Sequence, residues 1–416
     1  MSPAAKVNLR RLALLLAGLA MFGPFSIDTI FPAFPAIGAE FGADKLAMQQ
    51  TISVYLIAYA LMSLVHGPLS DILGRRRVIL GGLAVFALAS VGCALAGDLA
   101  TLLVFRALQG LSAGVGLIVG RAVIRDVLHG DDAQRLMSQV SMIFGAAPAI
   151  APVIGGWLLG WGRWPLIFWF LVGFAVLLVL ATWRWLPETL PRQARLAPAP
   201  RRLLRDYAYI SLNPRFQRLA AAAAFNFGAL FLYIASAPAF VLDLLKLDER
   251  QFGWFFIPMI SGMMLGAWMS GRAAGRVSGA RLVNIGFACS GVAVLANILY
   301  TQAFPHPSLP WAVMPMILNA FGIALVFPIV TLAILDMYPR QRGSASSLQA
   351  FTSLVVNAVI AGVLSPFASH DARHLAIAAA AFVLAGWLFW RWEARRGRPP
   401  PQCPVSPESM EPTGQM

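Results

Sequence analysis

Along this chain, apolar stretches of about twenty residues recur between short polar interruptions, the length a helix needs to cross the hydrocarbon of a bilayer. The pattern predicts twelve spans, at 12–36, 49–70, 78–97, 99–120, 137–160, 165–186, 218–241, 252–271, 281–301, 309–334, 344–367 and 373–391. The tenth starts at the edge of "FPHPSLP" (304–310), where prolines break the pattern. Lys6, Arg10 and Arg11 ahead of "LALLLAGLAMF" imitate a signal peptide. The apolar run continues past residue 30 and many others follow, so it is expected to remain as the first span.

The longest polar interruption, 187–217, carries six arginines against Glu188 and Asp206, with Pro187, Pro191, Pro198, Pro200 and Pro214. It reads as a proline-broken linker between an N-terminal six-helix bundle (1–186) and a C-terminal one (218–393). The Pro-rich tail 394–416 lacks apolar periodicity and is expected to be disordered. The halves echo each other. "GPLSDILGRRRVILGG" (67–82) follows the second span and "GRAAGRVSGARLVNIG" (271–286) the eighth, and pairing Gly67 with Gly271 also pairs Arg77 with Arg281. A duplicated unit of this kind places a binding site between halves, near the midplane, in secondary transporters.

Composition agrees: 59% of residues are hydrophobic and 12% charged, against about 25% charged in soluble domains. The net charge of +14 raises nucleic acid as a partner, but its distribution argues for topology instead. With the N-terminus inside, only Lys45, Arg163, Lys246, Arg250 and Arg373 lie outside and Arg106 lies within a span; all other Lys and Arg face the cytoplasm. Both termini are therefore expected to be cytoplasmic. Cys93, Cys289 and Cys403 lie far apart and form no disulfide framework or metal spacing.

Residues 67–80 pack Asp71, Arg75, Arg76 and Arg77 into a turn between two apolar runs. A positive-inside anchor would explain the arginines, but the spacing is more specific. It resembles the loop between helices 2 and 3 of the major facilitator superfamily, through Gly67, Leu69, Asp71, Gly74, Arg75, Arg76 and Leu80, with Ile72 replacing a usual basic residue. The resemblance implies that Asp71 and Arg75, with Asp126 in "GRAVIRDV", form a conformational gate that locks the halves outward-open. "FRALQGLSAG" (105–114) is similar to the family's helix 4 motif through Arg106, Gln109 and Gly110. "GAAPAIAPVIGGWL" (145–158) resembles the helix 5 motif of proton antiporters through Pro148, Pro152, Gly155 and Gly156, with alanines at two glycine positions. "SIDTIFPAFPAI", "SVYLIAYAL" and "LPETL" resemble the bicyclomycin and chloramphenicol resistance (Bcr/CflA) exporters. The implied fold is all-α, twelve transmembrane helices in two six-helix bundles, in a bacterial inner membrane.

Asp28 is the one acid inside any predicted span. A carboxylate there costs several kcal/mol unless protonated, paired or hydrated, which makes it a functional candidate. At 1.5 Å per residue, Asp28 lies roughly 10 Å from the outer end of span 1, with Arg106 and Tyr55 at comparable depth. Desolvation and a neighbouring Arg106 act on the Asp28 proton in opposite senses, so the pair is assigned to proton coupling; a static Asp28–Arg106 ion pair is the structural alternative. Gly110 and Gly114 have the spacing for close helix packing. Tyr55 and Tyr59 share one helix face, and with Gln109, Asn226, Tyr233, Asn319 and Asn357 they are candidate substrate contacts. Trp161, Trp164, Trp185 and Trp390 sit near span ends and suggest interfacial belts.

No metal cluster, phosphate loop or nucleophile elbow appears, so neither an enzyme nor ATP-driven transport is indicated and no cofactor is expected. The chain is expected to work, as a monomer, as a drug:proton antiporter for small amphipathic compounds, with protons and the lipid bilayer as partners and no nucleic acid. Transport of a small polar metabolite is the alternative, and a membrane sensor or scaffold a remote one.

Overall fold

In the computed structural model the structure describes residues 9–128, 130–195, 200–273, 276–339 and 341–396. Eleven helices among them are long and apolar enough to cross a membrane. An apolar stretch at Gly145–Trp161, inside the longer helix Gly130–Trp161, supplies the fifth of twelve. Helices suit hydrocarbon because they satisfy every backbone N–H and C=O internally.

Local chemistry fixes their ends. Asp44 accepts a hydrogen bond from the Ala47 amide (2.7 Å) and starts span 2 at Lys45; Asp98 does the same with Thr101 (2.8 Å) at the start of span 4. Span 1 stops at Asp28, passes through a tight turn at Phe31–Ala33, and resumes as Phe34–Phe41. Pro32 and Pro35, which lack a backbone N–H, account for the interruption. Span 10 begins at Met314 rather than 309, because Pro307 and Pro310 keep the preceding stretch irregular.

The packing repeats. In the N-terminal half span 1 lies against spans 5 and 6, span 2 against span 4, and span 3 against spans 4 and 6. Spans 7 to 12 repeat each of these pairings. Span 2 packs on span 11, and span 5 on span 8, the same contact seen from either half. The offset that pairs Gly67 with Gly271 also pairs the first residues of spans 3 and 9, Arg75 and Gly279.

Three expectations change. Within the linker, Pro200–Ser211 is an amphipathic helix, started rather than broken by Pro200 because a first-turn proline loses no bond. Ile210 is buried among Phe216, Leu219 and Tyr338, while Arg201, Arg202 and Arg205 stay exposed. Trp164 and Trp390 are not belt residues. Both are buried, the first donating to Glu40 (2.7 Å) and the second to Asn284 (2.8 Å), because polar partners lie inside for their indole N–H groups. Trp161 is exposed as expected. The last helix runs to Arg396, past the expected start of the tail; the rest of that tail (397–416), Lys6 and Pro198 lie outside the described residues.

Candidate functional site

Asp28 ends the first helical segment of span 1 and is 3% exposed. Among the described residues its carboxylate has neither an ion pair nor a hydrogen bond. Beside it, Gly155 of span 5 approaches so closely that a Cβ there would collide with the carbonyl of Thr29. The next residue faces the other way: a Cβ on Gly156 would strike the carbonyl of Glu249, in the loop between spans 7 and 8. The paired glycines thus let span 5 press on the break in span 1 and on the opposite half together. Pro148 and Pro152 lie inside a helix that runs unbroken through both.

Arg106 is fully buried and committed elsewhere. It donates to the carbonyl (3.0 Å) and hydroxyl (3.2 Å) of Ser26, to the Thr51 carbonyl (3.3 Å) and to Gln109 Oε1 (2.8 Å). Its guanidinium lies 4.5 Å from the centroid of the Tyr55 ring, and Gln109 passes the chain on to Ser90 (2.7 Å). The ion pair with Asp28 is not formed. Ser26 precedes Asp28 by two residues, which places their side chains on opposite sides of the helix. Arg106 therefore ties spans 1, 2 and 4 together while Asp28 stays unpaired.

The remaining candidates fall into separate places. Tyr55 donates to the Gly23 carbonyl (3.2 Å) and meets Tyr59 edge-on at 6.4 Å; with Gln109 they are packed inside the N-terminal bundle. Tyr233 accepts from Asn297 (2.6 Å) inside the C-terminal bundle. Both amide atoms of Asn226, and the amide oxygens of Asn319 and Asn357, are buried without a partner. Tyr55, Tyr59 and Gln109 thus belong to the N-terminal half, and Asn226, Tyr233, Asn319 and Asn357 to the C-terminal half. Gly110 and Gly114 serve packing, since a Cβ on either would run into Tyr55 or Tyr59.

The charged turn forms a compact network at the arginine-rich end. Arg75 bonds Asp71 (2.5 Å) and Asp126 (3.1 Å), and its backbone amide donates to Glu188 (2.8 Å). Thr189 completes Asp126 (2.9 Å), and Arg76 donates to the Trp183 carbonyl of span 6. Gly74 holds φ at 102°, a conformation that favours glycine, with the Glu188 carboxylate where a Cβ would sit. A Cβ on Gly67 would meet only open space. All partners belong to the N-terminal half or the first linker residues. Sequence reasoning missed Glu188 and Thr189, whose signal was the acid in "LPETL" directly after span 6.

Side-chain bonds between the halves cluster at the opposite end. Lys45 pairs with Asp243 (2.6 Å), Gln49 donates to the Ala235 carbonyl (2.8 Å), Gln50 to Gly362 (3.0 Å) and Ser53 to Ala358 (3.0 Å). At the arginine-rich end the connection runs through the linker helix, where Tyr207 donates to Leu64 (2.7 Å) and Asp206 accepts from Gln341 (2.9 Å).

A family profile described as Major Facilitator Superfamily matches residues 14–361. The uncharacterized MFS-type transporter YdgK of Bacillus subtilis is 30% identical over 86% of this chain and 89% of its own length. The chloramphenicol resistance protein CraA of Acinetobacter baumannii is 30% identical over 77% of this chain and 76% of its own. Among solved structures, a bacterial homolog of the human lysosomal transporter Spinster, inward-facing and unoccupied, superposes with a TM-score of 0.70 over 93% of this chain and 96% of that one, at 18% identity.

Proposed function

The chain belongs to the Major Facilitator Superfamily, and from that premise we propose that it exports small amphipathic, antibiotic-like compounds in exchange for protons. The observation that carries the proposal is Asp28, a buried carboxyl group without a partner among the described residues, beside the break in span 1. A structural carboxylate would be paired, since an unpaired charge away from water is costly; a group that must gain and lose a proton each cycle is kept unpaired. The resemblance of relatives such as CraA to this chain supports antibiotics as the cargo class.

The excess of basic residues supports a cytoplasmic position for the arginine-rich end, and bacterial relatives such as CraA support a bacterial inner membrane. In that orientation the Lys45–Asp243 end faces outward and is closed, so cargo enters from the cytoplasm. When the halves rock, the Lys45–Asp243 end parts, a proton reaches Asp28, and cargo leaves. Asp71, Arg75 and Asp126 hold the inner end of the N-terminal bundle as one body through this motion. The driving force is adequate, because each charge crossing 100 mV contributes about 2.3 kcal/mol before any pH gradient.

The test uses everted membrane vesicles energised to a steady pH gradient. Addition of chloramphenicol or ethidium should release protons from vesicles carrying the native protein and not from those carrying Asp28→Asn. Drug-induced release that persists in Asp28→Asn would remove Asp28 from the mechanism. No release from the native protein across a broad panel would remove antiport.

A further inference from the structure

We propose that the C-terminal half carries an uncharged subsite, formed by Phe227, Phe327, Thr331, Gln349 and Ser353, that receives the neutral aromatic part of the exported molecule. This rests on the export reading above and specifies the chemistry of its cargo.

Charge is distributed unequally between the halves. Stretches 219–242, 253–271, 282–303, 314–335, 343–369 and 375–390, the cores of spans 7 to 12, contain no Asp, Glu, Lys, Arg or His. Asp28 and Arg106 both belong to the other half. A wall without ionisable groups cannot select cargo by ion pairing; it offers aromatic faces, hydroxyls and amides.

The geometry gathers such groups. Phe227 of span 7 lies 6.4 Å from Phe327 of span 10 and 6.2 Å from Phe231, centroid to centroid. Val326 and Val330 are fully buried in the bundle, whereas Phe327 is 37% exposed, so this turn leaves the Phe327 ring partly uncovered by protein. Thr331 follows one turn later. Its oxygen accepts from Gln349 (2.8 Å), and its own hydroxyl proton is uncommitted among the described residues. Along span 11, Gln349, Ser353 and Asn357 repeat every four residues on one face. The hydroxyl of Ser353 and the amide oxygen of Asn357 are buried without a partner.

Lipid does not explain this face, because hydroxyls and amides are disfavoured against hydrocarbon. The neighbouring stripe of span 11, Ala358 and Gly362, accepts the bonds from span 2, so the ladder lies one step around the helix from the seam between halves. That is the position of a pathway wall. Buried polar groups normally find partners; here the partners would be the hydroxyl, carbonyl or amide groups of an uncharged aromatic compound whose ring packs on Phe227 and Phe327.

Chloramphenicol, a neutral aromatic amide with two hydroxyls, is the probe, with ethidium as the cation. Transport into everted vesicles is measured for the native protein, Thr331→Val, Thr331→Ser and Ser353→Ala. Loss of a hydroxyl that bonds cargo should raise KM for chloramphenicol about tenfold in Thr331→Val and Ser353→Ala. Thr331→Ser, which keeps the hydroxyl, should stay within about twofold of native. An unchanged KM in both hydroxyl-free variants, or an equal loss in Thr331→Ser, overturns the subsite. Transport of ethidium but of no neutral aromatic compound also overturns it while leaving export intact; transport of neither overturns the export reading and the subsite with it.

Discussion

Asp28 and Arg106 are both buried and ionisable, yet their surroundings predict opposite responses to substitution. Replacing Arg106 by Met removes four hydrogen bonds and leaves the Ser26 hydroxyl, the Gln109 oxygen and two backbone carbonyls facing an apolar side chain. Hydrogen bonds to a charged donor contribute about 1.5–3 kcal/mol each, and a stranded buried acceptor costs about 1–3 kcal/mol. These losses overlap, because Gln109 keeps its bond to Ser90 and the Ser26 hydroxyl can rotate. The expected destabilisation is about 3–5 kcal/mol, the range for breaking a buried charged network from one side. At about 2–4 °C per kcal/mol for a unit of 150–250 residues, the unfolding midpoint in mild detergent falls by roughly 6–20 °C. Asp28→Asn removes no protein bond, so its midpoint should stay within about 3 °C of native while drug-driven proton release disappears. The assay is tryptophan emission on heating, run beside the vesicle measurement. An Arg106→Met protein as heat-resistant as native, or an Asp28→Asn protein as unstable as Arg106→Met, would refute the division between a structural arginine and a functional acid.

Other consequences are local. Arg75→Gln strands Asp71 and Asp126 at one of the least exposed ion-pair sites among the described residues, and should cost about 2–4 kcal/mol in the same heating assay while loosening the turn to proteolysis between spans 2 and 3. Gly110→Ala places a methyl against the Tyr55 carbonyl; separating spans 2 and 4 should reduce folded yield in size-exclusion chromatography, and a native-like yield would contradict the close approach. Asp98, outside the membrane, is held below the usual carboxylate range by the Thr101 amide and hydroxyl. Its contribution is therefore present above the ordinary Asp range near 4 and lost as pH falls through the lowered value. Exchange of the Thr101 amide should accelerate on acidification in the native protein and be fast throughout in Asp98→Ala.

The sequence determined by itself that the chain crosses a membrane as helices and that it is built from two matched halves; that Asp71, Arg75 and Asp126 belong together came from its resemblance to a family motif. Helix length, period and net charge are properties of consecutive residues, so they survive without knowledge of partners. The sequence also singled out Asp28, because one acid amid apolar neighbours is visible without a fold. Only the tertiary structure decided that Arg106 does not pair with it. Two residues along a helix reverse the facing of a side chain, and which face of span 1 meets span 4 is set by packing. Tertiary packing also decided that the twin glycines of span 5 serve different neighbours, that two tryptophans turn inward, and that Phe327, Thr331, Gln349 and Ser353 share one wall. Those residues are distant or unremarkable in the chain, and what unites them is the docking of helices against one another.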